Sequence, residues 1–112
     1  MNITETLTFI RDALLEQGCK SKLGNICAYR GENGARCAVG HLIKDEFYSR
    51  DLENLPHSAS KVQFALEMSG VKLTEKMNRA LRQAQVIHDT KSMFEWEIQF
   101  NNLIARFKED VQ

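Results

Sequence analysis

Helical spacing of apolar residues runs through most of this chain and fails in one place, between Asn25 and Val39. That interruption constrains the fold more than any other feature. Before it, Ile3, Leu7, Ile10 and Leu14 recur three or four residues apart, with Phe9 and Ala13 widening the stripe. Asn2 with Glu5 forms a capping box, and Gly18 supplies a stop. After it, Val62, Ala65 and Leu66 mark a helix capped by Ser60 and Gln63 and ended at Gly70. Met77, Ala80, Leu81, Ala84, Ile87 and His88 mark another, capped by Thr74. A last stripe runs through Met93, Trp96, Phe100, Leu103 and Phe107. In the interruption, "NICAYRGENGARCAV" reads as two short β-prone runs around Glu32-Asn33-Gly34, since Asn-Gly supplies the positive φ angles of a hairpin turn. Two registers are open. A two-residue Asn-Gly turn pairs Arg30 with Cys37. A three-residue turn with a bulge at Gly34 pairs Tyr29 with Cys37 and is preferred, because it places Cys27, Tyr29, Cys37 and Val39 on one apolar face.

A lone hairpin is marginal in water and must pack on helices. The expectation is α+β: a mostly helical single domain over residues 1–112, with one hairpin packed on four or five helices. "AVGHLI" then forms a short helical turn, and "KDEFYSRDLENLPHS" a loop carrying the single proline, Pro56. A length of 112 residues suits one core.

Charge narrows the partners. Fifteen basic residues balance fifteen acidic ones, and the basic run Lys72, Lys76, Arg79 and Arg82 is diluted by Glu75, as on a solvated helix face. Nucleic acid is disfavoured. No apolar stretch reaches membrane-spanning length, so no membrane partner is expected. Acids within the first apolar segment and three cysteines, an odd number, point to a reducing cytoplasm with free thiols. A homodimer through an unpaired hairpin edge or a spare helix face stays open.

The chemistry-bearing residues cluster in and after the interruption. His88 falls on an apolar helical stripe where leucine would be ordinary. A polar ring placed inward needs partners, either a backbone group and a carboxylate in the core or a ligand. Cys27, Cys37, His41 and His88 offer a Cys2His2 zinc set, although the spacing of the two cysteines is not that of a zinc knuckle. Cys37, entering a helical turn, is the candidate nucleophile if the chain is an enzyme, with His41 or His88 as base and Asp45 or Asp89 as orienting acid, the set Cys37, His88 and Asp89 being preferred. Otherwise no catalytic residue, metal or cofactor is expected. Arg30, beside the turn, presents a fork for a phosphate, a carboxylate or Asp45. Tyr29, Arg30, His41 and Asp45 on one wall, with His88 and Asp89 on the other, make the expected ligand pocket.

Cys27, Tyr29, Arg30, Gly34, then Cys37, Ala38, Gly40, Leu42, Ile43, Asp45, Glu46 and Tyr48, then Gln85, His88 and Asp89 form a wider pattern. It reads C-x-Y-R, C-A-x-G-x-L-I-x-D-E-x-Y and Q-x-x-H-D. This pattern resembles a family of small tailed-phage and prophage proteins, over roughly a quarter of the chain. Lys44 stands where that family often has proline, and His41 where cysteine is common. The resemblance implies a setting in the cytoplasm of an infected bacterium, where such proteins bind host factors or defence signals. The resulting expectation is a non-enzymatic accessory protein that binds a host protein or a small anionic ligand, in host takeover or counter-defence. A Cys–His hydrolase and a zinc-stabilised adaptor are the alternatives.

Overall fold

The computed structural model describes residues 1–109. Four α-helices carry the fold: α1 (Ile3–Gln17), α2 (Ser60–Met68), α3 (Glu75–Thr90) and α4 (Met93–Glu109). A two-stranded antiparallel hairpin, β1 (Lys22–Leu23) and β2 (Ile26–Cys27), follows α1. Short 3-10 turns fill the chain from Glu32 to Leu52. The expected mostly helical α+β domain is the observed one. No described helix is long and apolar enough to cross a membrane.

The helix ends follow local chemistry. Asn2 Oδ1 accepts the Glu5 N–H at 2.8 Å, and Glu5 Oε1 accepts the Asn2 N–H at 2.8 Å, closing the expected capping box. Gly18, at φ 72°, ends α1 with its N–H on the Leu14 carbonyl. Thr74 Oγ1 caps α3 through the Met77 N–H. The cap expected from Ser60 and Gln63 does not form: α2 starts after Ala59 without a side-chain cap. Gln63 Nε2 donates instead to the His57 carbonyl and to Asn78 Oδ1, tying the preceding loop to α3.

The core lies where α1 packs on α3 and α4 and α3 packs on α4. All six expected α3 positions are buried, as are Trp96, Phe100, Leu103 and Phe107 of α4. Met93 and Phe9, read as part of the stripes, are exposed, so the apolar face of α4 begins at Trp96.

The hairpin is displaced from its expected place. Gly24, at φ 64°, and Asn25 make the turn, pairing Leu23 with Ile26 and Lys22 with Cys27. Asn33 and Gly34 do take positive φ, at 58° and 75°, but they close a small loop in which the Gly31 N–H meets the Ala35 carbonyl at 2.8 Å. Tyr29 therefore does not pair with Cys37. The reason is a competing acceptor: the Glu53 carboxylate takes both the Tyr29 N–H at 2.9 Å and the Arg30 N–H at 3.0 Å, adjacent donors that would point to opposite sides in a strand.

Candidate functional site

The α3 stripe carries His88 into the core, where it is fully buried and stacked on Trp96 with ring centroids 5.6 Å apart. Its Nε2 accepts the Ser21 N–H at 3.0 Å, and its Nδ1 lies 2.8 Å from Asp89 Oδ1. A backbone N–H can only donate, so Nε2 keeps its lone pair and the ring proton sits on Nδ1, aimed at the carboxylate. Of the two roles open to this histidine, the structure shows the one satisfied by backbone and carboxylate. Gln85 extends the arrangement: its Oε1 accepts the Val39 N–H at 3.1 Å, and its Nε2 donates to Asp89 Oδ1 at 2.8 Å. Q-x-x-H-D is thus one clamp, with i, i+3 and i+4 positions fastening the end of α3 to the segments around Ser21 and Val39. Ser21, also fully buried, passes the connection on through Oγ contacts to the Ala28 and Ala35 carbonyls at 2.6 and 3.1 Å. Burial alone would raise the Asp89 carboxyl. The hydrogen bonds from His88, Gln85 and Cys27 together outweigh it and hold the group below its usual range.

Arg30 turns away from the α3 end. Its guanidinium donates to the Gly40 and Ile43 carbonyls, both at 2.8 Å, and to Asp45 Oδ1 at 3.0 Å, and it lies 4.7 Å from the centre of the Tyr48 ring. Asp45 also accepts from Arg36 at 2.9 Å. Glu53, which the sequence reading did not single out, completes the network by accepting the Tyr48 hydroxyl at 2.6 Å. Arg30→Ala is expected to cost roughly 1–3 kcal/mol in a urea titration, because the Ile43 carbonyl loses its donor and the Gly40 carbonyl keeps only the longer bond from the Ile43 N–H. A variant as stable as the parent would show that the guanidinium serves something other than the fold.

The thiols and the remaining histidines scatter. Cys37 is buried, accepts the Gly40 N–H at 3.3 Å, and is pushed up to about 12 by burial. Its thiolate is not formed at neutral pH. His88, with both ring nitrogens engaged, offers it no base. His41 is half-buried beside a separate cavity of about 230 Å³ with Thr6, Phe9 and Ser69. Burial first, then Arg36, Arg30 and His88, push it down to about 4, and its buried Nε2 has no partner among the described residues. Cys27, Cys37, His41 and His88 therefore do not make one donor set. Among the described residues, the donors that converge are Cys27, His88 and Asp89, within 4.8 Å of one another. That trio does not suit a metal ion. His88 turns a proton toward it, and freeing Nδ1 would put a proton on Nε2 against the Ser21 N–H. Burial and the neighbouring Asp89 raise the Cys27 thiol, which keeps its own proton.

A cleft of about 400 Å³ opens beside this cluster. One side is the face of α3 carrying Arg82, Gln85, Val86 and Asp89; the interruption contributes Cys27, Ala28, Tyr29 and Cys37, and the loop from Asn54 to Ser58 closes the rest. The end of α3 forms one side, but of the stretch from Tyr29 to Tyr48 only Tyr29 and Cys37 reach the lining, and the loop from Asn54 to Ser58 supplies a wall the sequence did not suggest. Of the residues proposed from sequence, Tyr29 and Asp89 line the cleft, whereas Arg30, His41, Asp45 and the His88 ring lie outside its lining. Arg82 and His57 were not proposed. The signal for Arg82 was the i, i+3, i+4, i+7 spacing of Arg82, Gln85, Val86 and Asp89, a second face beside the buried stripe.

Fold and site together define a small helical α+β domain with a polar clamp at one helix end and a ligand-sized cleft against it. No protein-family model matches the chain, and neither the curated proteins nor the solved structures give a significant match.

Proposed function

We propose that the chain is a small accessory protein of phage type, acting in the host cytoplasm by binding a small ligand that carries an anionic group. The cleft is the observation that carries this reading: it is concave, of ligand size, and presents the Arg82 guanidinium at its rim. The motif pattern supports the phage setting. Hydrolysis fits less well because burial keeps the Cys37 thiol protonated, and a zinc adaptor fits less well because the one lone pair of the His88 ring is taken by the Ser21 N–H. A host protein as partner is the second reading, favoured by Phe94 and Ile98, 94% and 61% exposed and one turn apart on α4.

Amide NMR with the small-molecule fraction of phage-infected bacterial lysate tests the cleft. Shifts are expected at Cys27, Tyr29, Gln85 and Asp89, and they should vanish in Val86→Trp. Val86 is half exposed, so a bulky ring there fills the cleft without entering the core. Shifts that persist in Val86→Trp, or that fall elsewhere, would sink the reading.

A further inference from the structure

The cleft lining carries opposite charges at separate points. Arg82 and Asp89 are seven residues apart on α3, two turns and about 10 Å of rise on one face. Arg82 is exposed and makes no ion pair among the described residues. Asp89 takes hydrogen bonds from His88 and Gln85 on Oδ1, yet 35% of its side chain stays accessible. It is an ionised, part-exposed carboxylate at the end of a cleft, an acceptor site suited to a cation with several N–H donors. The lining also holds the apolar side chains of Val86, Leu55 and Pro56 alongside the polar Gln85 and Asn54.

We propose that the cleft takes a zwitterion of the size of a free basic amino acid, with its carboxylate on Arg82 and its side-chain cation on Asp89. This rests on the cleft being the binding site. An extended arginine spans about 7 Å between its charged ends, and the flexible Arg82 side chain makes up the rest. Polyanions such as nucleotides match less well. His57, the other basic group in the lining, is pushed below its usual range by burial, with Arg82 contributing, and is uncharged at neutral pH. A polyanion would therefore meet one cation and a fixed carboxylate.

Titration of the full chain with L-arginine, agmatine, which lacks the carboxylate, and L-citrulline, whose ureido side chain lacks the cation, tests the pairing by amide NMR. Arginine is expected to bind about tenfold or more tightly than either analogue, the effect of one charged contact. In Arg82→Ala, arginine should lose its advantage over agmatine, and agmatine itself should bind no more weakly than to the parent. Equal binding of arginine and agmatine to the parent, or undiminished arginine binding to Arg82→Ala, would overturn the proposal. If arginine leaves the cleft amides unshifted while the lysate fraction moves them, the zwitterion fails and the cleft reading stands. If neither moves them, both fail.

Discussion

The Trp96→Ala, Phe100→Ala double variant is expected to lose about 6 kcal/mol or more and to lack a cooperative unfolding transition at room temperature. Both rings are among the largest fully buried side chains of the protein, 1% and 0% exposed. Truncating a buried Trp or Phe to Ala costs about 3–5 kcal/mol. The two lie one turn apart on α4, so their losses couple and need not add. Trp96 also supports the His88 ring by stacking, so its removal loosens the clamp as well as the core. Against the ~5–15 kcal/mol typical of a whole domain, such a loss leaves little folded protein. Far-UV circular dichroism with a urea titration measures it. Parent-like melting would mean that α4 is not packed as described.

The second large effect is expected at Gly40, through the backbone alone. A Cβ placed there would sit 2.4 Å from the Tyr29 carbonyl oxygen and 3.1 Å from its carbon. Neither atom can yield easily. The Tyr29 N–H and hydroxyl are fixed by Glu53 and by the Leu55 carbonyl, and the Gly40 carbonyl receives Arg30. Relief requires the two segments to part, which would break the Arg30 contacts and open the cleft beside Tyr29. Gly40→Ala is expected to destabilise by about 3 kcal/mol or more. Gly34→Ala is the control: no atom lies within 4 Å of its added Cβ, and only its φ of 75° resists the change, at about 1–2 kcal/mol. Urea midpoints should rank parent, Gly34→Ala, Gly40→Ala. A Gly40→Ala variant no worse than Gly34→Ala would show that the contact relaxes freely.

The local ends of the helices and most of their buried faces were legible in the sequence. Asn2 and Glu5, and Thr74 and Met77, bond three residues apart, and the six α3 positions fall on one face of a helix, so spacing alone marks them. His88 was legible too, as an inward polar residue in need of partners, and its carboxylate is its neighbour Asp89. The second partner was not legible: the Ser21 N–H lies 67 residues away. The hairpin was misplaced for the same reason. Asn33 and Gly34 took the backbone angles their chemistry favours, but strand pairing also needs free donors, and Glu53, 24 and 23 residues beyond Tyr29 and Arg30, had taken them.

What the sequence determined by itself was therefore the helical period, the caps at Asn2 and Thr74, the turn-forming residues and the inward position of His88. All of these depend on groups that the chain brings together before it folds. Only the tertiary structure decided which acceptor satisfied Tyr29 and Arg30, which way Arg30 pointed, and that Arg82 and Asp89 would share a cleft with Tyr29. Those outcomes are competitions among donors and acceptors distant along the chain, settled by which segments pack side by side.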